Sequence, residues 1–419
     1  MKKLFYLAVL LSACSQPDMI QETSMETNKQ GESNMRTLDE ALEIAQGGIR
    51  MLEDAEPTRM SSTRRTLNLA DGVKYVTSQQ TRTGDADTLM YVFNFSDNMG
   101  YAIVSADRRM EGLLAVTESG YYDPSQTPSN PGLELYMSGV RGNLDSLELL
   151  LPDPHPGFMQ LIIKHDTVGR ENIAPRVQVK WGQDNPEGRY CPNNTAGCCN
   201  TAMAMIMSYF KYPQSIALTY SGADIPEQEL DWDVMCNHTV APSCYAGCTP
   251  ESHNAIGRLC RQLGQMSSST YHANGGTSST INNSRSTMSR LGYEVGGIIS
   301  STANLATNLW QGRLIFMSGL NSQNEGHAWV VDGYKSFTVH YQEYTVQNGL
   351  IQDVYCDEYK TTSYNHINWG WNGFDNGYFL CNVFNANSVG YLDNGCSKFD
   401  YDERINFTKN FKYFTVYHE

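Results

Sequence analysis

Ala196-Gly197-Cys198-Cys199-Asn200-Thr201-Ala202 opens the stretch that decides the fold. From Ala202 onward, apolar residues recur at Met205, Ile206, Tyr209 and Phe210, the spacing of a helix with one buried face. Tyr212-Pro213 should end that helix, because a residue before proline is pushed out of the α region. The thiol that follows Gly197 therefore sits at a helix N-terminus. Unpaired N–H groups and the macrodipole there favour negative charge, and a thiolate is the reactive form of cysteine. A buried structural cysteine is the commoner fate of a free thiol, so the remainder of the chain has to decide.

Working outward, the 419 residues suffice for two or more domains with full cores. The net charge of -15 and the absence of basic blocks argue against a general nucleic-acid or anionic-membrane binder. Lys2-Lys3 followed by the short apolar run Leu4 to Leu11 is a secretory signal, too short to span a bilayer. It ends in Leu11-Ser12-Ala13-Cys14, which resembles a bacterial lipoprotein signal. That likeness implies residues 1–14 as signal, a lipid on Cys14, and membrane contact through the lipid alone. The expected location is exported: the cell envelope, or secreted after processing. Residues 15–36 are polar and read as a disordered tether.

A small α+β unit is expected over 37–151. Thr37-Leu38-Asp39-Glu40 is a capping box, and its helix should end soon after Gly47-Gly48. Leu89 to Phe95, a turn at Ser96 to Gly100, and Tyr101 to Ser105 form a hairpin. Leu113 to Val116 is a third strand and Leu133 to Leu151 a second helix. Residues 152–176, opened by Pro152-Asp153-Pro154-His155-Pro156, read as a linker or activation region with Lys164, Arg170 and Arg176 exposed.

The second unit covers 177–419. Ala255 to Gly264 reads as a helix with a glycine C-cap, and residues 267–284 as a flexible loop. Strands follow at Leu314 to Gly319 and His327 to Tyr334, a hairpin within Phe337 to Tyr355, and then Gly377 to Leu380. One helix, a long connection and a run of strands is an α+β pattern, with the helix packed on an antiparallel sheet. Ten of eleven cysteines lie from Cys191 onward. Export permits disulfides, and Cys236, Cys244 and Cys248 are close enough in sequence to pair locally. With His238 and His253 they fit no standard zinc spacing, so neither metal nor cofactor is expected.

A thiol needs a base to hold it as thiolate. His327, after Gly326 at the head of an apolar strand, lies 129 residues beyond Cys198, and Asn368 a further 41 on, beside Trp369. An asparagine oxygen can accept from an imidazole N–H and fix the ring, and a neighbouring indole can shield that bond. The order Cys, His, Asn is that of papain-like peptidases.

These residues bring a resemblance into view. Trp181-Gly182-Gln183, Ala196-Gly197-Cys198 to Tyr212-Pro213, Leu230-Asp231-Trp232-Asp233, Gly326-His327-Ala328 to Gly333-Tyr334, and His366-Ile367-Asn368-Trp369-Gly370-Trp371 resemble the streptopain-type cysteine peptidases, secreted bacterial enzymes of papain-like fold. The resemblance implies a papain-like catalytic domain over 177–419 and an inhibitory propeptide over 37–151. It assigns Cys198 as nucleophile, His327 as base and Asn368 as the residue that orients it, with Trp369 as companion and Trp371 in support. Gln183 would join the Cys198 amide as an oxyanion donor, and Gly276, Thr277, Ser278 and Gly326 would line the substrate cleft. Protein or peptide substrates and the chain's own prodomain are the implied partners. Cys199 departs from the family pattern, and Cys198 is chosen because it follows the glycine. Two other readings remain, a different exported Cys-His hydrolase such as a cell-wall amidase, and a catalytically silent binding lipoprotein. A further possibility is that 37–151 inhibits other peptidases.

Overall fold

The computed structural model describes residues 24–28, 35–53, 65–77, 88–107, 110–126, 128–150, 161–216, 228–236, 249–300, 304–320, 326–347, 350–384 and 411–419. The signal stretch with Cys14, and Cys244, Cys248 and Cys396, lie outside the described residues.

The N-terminal unit builds as its sequence periods demand. Helix α1 (Leu38–Glu53) starts at the capping box, where Thr37 N–H donates to Glu40 Oε2 at 2.7 Å and Glu40 N–H to Thr37 Oγ1 at 3.3 Å. It runs through Gly47-Gly48 and ends soon after, at Glu53. A side chain at Gly48 would lie 2.3 Å from Leu113 Cδ2, so the glycine lets the helix press onto the strands beneath it. Strand β1 (Ser24–Asn28) precedes α1; β2 (Val73–Thr77), β3 (Thr88–Asn94), β4 (Tyr101–Ser105) and β5 (Leu113–Thr117) follow it. The expected hairpin is the β3–β4 pair, in register from Met90 with Ser105 to Asn94 with Tyr101. Helix α2 (Pro131–Leu150) closes the unit.

Residues 161–173, expected within a linker, form strand β6 (Leu161–Ile173). Part of the expected tether also departs from expectation, since β1 pairs with β6, and Arg36 is buried with its guanidinium on the carbonyls of Ser105, Asp107 and Met110. Strand addition of this kind runs on backbone bonds, which polar side chains permit as readily as apolar ones.

In the catalytic unit, α3 (Cys198–Phe210) ends at Lys211 in the left-handed region, just before Tyr212-Pro213. Its residues 199–208 are all buried, so it is enclosed nearly all round instead of lying half-exposed. Strands β7 (Ser215–Ile216) and β8 (Gln228–Glu229), then α4 (Trp232–Cys236), lead to α5 (Pro250–Met266). The α5 helix runs past Gly264, which is no cap: a Cβ there would meet the Tyr271 hydroxyl at 2.0 Å. Next come the short pair β9 (Thr270–Tyr271) and β10 (Thr277–Ser278), α6 (Ile281–Arg290), β11 (Glu294–Val295) and α7 (Leu305–Trp310). The strands β12 (Leu314–Leu320), β13 (Gly326–Gln347), β14 (Leu350–Asn368), β15 (Gly377–Leu380) and β16 (Lys412–Tyr417) complete it.

One antiparallel sheet joins the two units, in the order β11-β16-β12-β13-β14-β15-β5-β4-β3-β2. The joint is β15 on β5, with Gly377 opposite Thr117 and Phe379 opposite Ala115. Along β13, residues Gly326 to Val331 pair with β12, and Tyr334 to Thr345 pair with β6. Side chains alternate across β13. Ala328 and Val330 join the core around α3 and α5, while Trp329 and Val331 join the core that holds α1 and α2. That second core is shared, for Tyr136 of α2 packs edge-on against Phe379 of β15 at 5.0 Å. Apolar burial of this kind stabilises by about 1.5–3 kcal/mol per large side chain, so the N-terminal unit is docked by ordinary core packing.

Candidate active site

Cys198 is the first residue of α3, and Gly197 before it has φ 89° and ψ 141°, a conformation that favours glycine. A Cβ on Gly197 would also lie 2.8 Å from Thr277 Cγ2. The chain thus turns sharply into the helix and leaves the thiol at its positive end. Cys198 is held well below the usual thiol range. The strongest cause is the neighbouring Cys199 thiol; burial opposes it, and the adjacent His327 imidazole and Ala328 amide add to the lowering. Cys199 is pushed up in return, chiefly by Cys198 and by burial. The second thiol, unexplained by sequence, donates to Ser279 O at 3.8 Å.

His327 lies near the head of β13 and is 3% exposed. Its Nε2 lies 2.8 Å from the backbone oxygen of Trp369. The Asn368 side chain, expected to orient this ring, makes other hydrogen bonds. Asn368 Nδ2 donates to Val179 O at 2.9 Å, and its Oδ1 accepts from Gly370 N at 3.2 Å. With both ends of its amide committed, Asn368 braces the backbone on either side of Trp369, and the carbonyl of Trp369 meets the imidazole. No side-chain pattern announces a carbonyl partner. The Trp369 indole packs 5.1 Å from that of Trp329 and donates through Nε1 to Asp375 O at 3.0 Å. Trp371 stands edge-on to His327, with ring centroids 6.2 Å apart.

Residues 184–195 fold back in successive turns and bring the Gln183 backbone to Ala196, two residues before the thiol. Ala196 N–H donates to Gln183 O at 2.7 Å, and Thr201 Oγ1 to Gly182 O at 2.8 Å, tying this segment to the start of α3. Glu187, which sequence reasoning passed over, accepts from Gly182 N at 3.1 Å and is pushed up to about 7 by burial. The β9–β10 hairpin leans on the same turn, with Thr277 Oγ1 donating to Thr195 O at 2.8 Å. Gly276 O accepts from Asn193 Nδ2 at 2.7 Å, and Ser278 Oγ pairs with His272 Nε2 at 2.8 Å. Gly326 faces Leu320 across the β12–β13 pair. Among the described residues no cluster of His, Cys, Asp or Glu is arranged to hold a metal, and Cys236, Cys260 and Cys381 are in no disulfide.

The N-terminal unit reaches this site directly. Asn130 Oδ1 caps α2 by accepting from Gly132 N at 3.0 Å, and Asn130 Nδ2 donates to Asp375 Oδ2 at 3.2 Å. Gly132 lies flat on the His327–Trp369 pair: a Cβ there would sit 2.2 Å from Trp369 Cε3 and 2.8 Å from His327 Cδ2.

A helix-end thiolate beside an imidazole, with a second unit seated on the histidine, defines a cysteine peptidase made as a proenzyme. Comparison with known proteins agrees. Residues 181–379 match the Peptidase C10 family and residues 32–141 the Spi protease inhibitor. The chain belongs to the Peptidase C10 family, the streptopain family, with its propeptide attached. It is 21% identical over 341 residues to "Thiol protease/hemagglutinin PrtT" of Porphyromonas gingivalis, covering 73% of this chain but 35% of that protein. It is 21% identical over 336 residues to streptopain of Streptococcus pyogenes, covering 72% of this chain and 76% of the relative. The solved structure of a prointerpain A fragment from Prevotella intermedia superposes with a TM-score of 0.50 at 18% identity, over 82% of this chain and 98% of the fragment.

Proposed function

We propose that the protein is an endopeptidase in which Cys198 is the nucleophile, His327 the general base and acid, and residues 37–151 the latch on the zymogen. The observation that carries this reading is the lowered Cys198 thiol beside a histidine whose ring is tied to Trp369 O and covered by Gly132.

In the reaction, the Cys198 thiolate attacks the carbonyl carbon of the scissile peptide bond. The oxyanion accepts from the Cys198 amide and the Gln183 side chain. His327, protonated, gives its proton to the leaving amine as the C–N bond breaks. Water then adds to the thioester with His327 as base, the acid leaves, and the thiolate returns. The Trp369 carbonyl keeps the Nε2–H in place, so the other ring nitrogen faces the sulfur. Thr277 and Gly276 form one wall of the cleft, and Gly326 stands at the other. Latency follows from α2: with Gly132 on His327 and Trp369, no substrate backbone has room to reach the pair.

Maturation cuts between Leu150 and Leu161. Strand β6 pairs along β13 from Tyr334 to Thr345 and so stays with the catalytic unit. Cys14 carries lipid, and the enzyme works at the cell envelope or is shed from it by processing. Its substrates are proteins or peptides. Incubating the full chain with casein and with peptidoglycan, each with and without a thiol alkylator, tests the reading. Casein hydrolysis that the alkylator abolishes, with peptidoglycan intact, is expected; peptidoglycan cleavage alone would favour an amidase.

A further inference from the structure

A second charged cluster lies where the prodomain, the catalytic sheet and the end of β6 meet. Asp332 is the extra residue of a bulge in β13, since Val331 pairs with Ile367 and Gly333 with His366. A bulge re-aims a side chain, and Asp332 is aimed inward, fully buried. Its Oδ1 lies 2.6 Å from His366 Nδ1, while its Oδ2 accepts from Val177 N at 2.8 Å and Arg176 N at 3.1 Å. The opposite nitrogen, His366 Nε2, faces Glu118 Oε1 at 3.5 Å. Glu118 belongs to the prodomain, one residue past β5, and its amide donates to Asn376 O at 2.7 Å. Gly333 leaves room for this assembly, because a Cβ there would lie 2.9 Å from both His366 Cβ and Ile173 O.

The other ionisable groups around His366 are few. Tyr378 of β15 stands edge-on to it at 5.2 Å, and Lys335 of β13 lies with its Nζ 4.5 Å from the centre of the Tyr378 ring. The Arg176 guanidinium is turned away, towards Arg313 O at 3.4 Å. Burial pushes the His366 imidazole down, and the carboxylates of Asp332 and Glu118 outweigh it, raising the group to about 10. A carboxylate therefore faces each of the two ring nitrogens.

We propose that His366 is a charge clasp that couples prodomain docking to the junction at Arg176–Val177, with Glu118 as its prodomain half and Asp332 as its catalytic half. It rests on the proenzyme reading and adds how that state is held and sensed. With the prodomain docked, Glu118 and Asp332 share one imidazolium, and Asp332 is fixed to clamp the two junction amides. When the prodomain leaves, Glu118 goes with it and the buried cation keeps a single partner. The Asp332–His366 pair then relaxes towards solvent, and the junction loosens. The segment that follows β6 thus registers whether the prodomain is present.

The test uses the full chain carrying Cys198→Ala, which cannot process itself, with and without Glu118→Gln. Amide exchange at Arg176 and Val177 is expected to speed up about tenfold in the double variant, as the carboxylate that faces His366 Nε2 at 3.5 Å is lost. In the chain that keeps Cys198, Glu118→Gln is expected to speed processing severalfold. The mature products should keep equal kcat/KM, because Glu118 is absent from both. Should the double variant fold poorly, nitrogen NMR of His366 in the Cys198→Ala chain decides alone. An imidazolium at pH 8 supports the clasp, and a neutral ring there overturns it, as does junction exchange unchanged by Glu118→Gln. A wild-type chain that never processes would refute the peptidase reading, while exchange in the inactive chain would still decide the clasp.

Discussion

Replacing Gly132 by alanine should unlatch the zymogen. The new methyl would lie 2.2 Å from Trp369 Cε3, 2.6 Å from Cζ3 and 2.8 Å from His327 Cδ2. Real Cβ contacts are not that short, so the helix or the indole must move. The indole has little freedom. It is fully buried, its Nε1 donates to Asp375 O, and its amide donates to Asn376 Oδ1 at 3.0 Å. The movement therefore falls on α2. Overpacking of this kind costs about 1–3 kcal/mol, and alanine returns at most about 1 kcal/mol of helix propensity. A net loss of about 1–2 kcal/mol from the docked state raises the open fraction by a factor of about 5–30. The assay is the initial rate of peptide hydrolysis by the full-length chain before any cut appears, with the melting temperature of the same change in a Cys198→Ala background. The expected result is a rate higher by that factor, a lower melting temperature, and a mature product identical to the wild type. Equal latency and equal melting temperature would refute the claim that α2 holds the site shut through this contact.

Cys199→Ala removes the strongest hold on the Cys198 thiolate, so the pH midpoint for alkylation of the full chain should rise; Cys199→Ser, which keeps a donor, should move it less. Glu187, with a carboxyl pushed up to about 7 by burial, favours its protonated form in the fold. Its contribution is complete below about pH 4.5 and is lost as pH rises through 7, at most about 3 kcal/mol. Melting temperatures measured across that window should fall with rising pH, and Glu187→Gln should flatten the slope. Asn368→Ala leaves Val179 O and Gly370 N unpaired, at a cost of about 1–3 kcal/mol. The melting temperature should drop while kcat of the mature enzyme falls far less than in His327→Ala; an equal loss would return Asn368 to direct contact with the ring.

Much of the fold could be read from local chemistry. The helix at Cys198, the Thr37 capping box and the β3–β4 hairpin rest on periodicity and turn residues, which act within a few positions. What escaped the reading acts over distance. Gly48 and Gly264 look like helix ends, yet each serves a close approach by Leu113 or Tyr271, more than five residues away in sequence. Strand β6 looked like a linker because its place is set by the open edge of β13, which a single segment does not reveal. At the site, the His327 ring meets the backbone of Trp369. The accepting atom is a backbone carbonyl, and Asn368, one residue away, carries the side chain that fits the motif. The covering group is a glycine, conspicuous only once the indole beneath it is placed. The cluster of Glu118, Asp332 and His366 joins three distant stretches through a bulge, for which no sequence period exists.

The central claim is that Cys198 opens this chain's own latch. Mass spectra of the full-length chain and of its Cys198→Ala variant, incubated side by side, test it most directly. The account predicts that the wild type is cut between Leu150 and Leu161 while the variant stays whole. A variant cut at the same place and the same rate would contradict it.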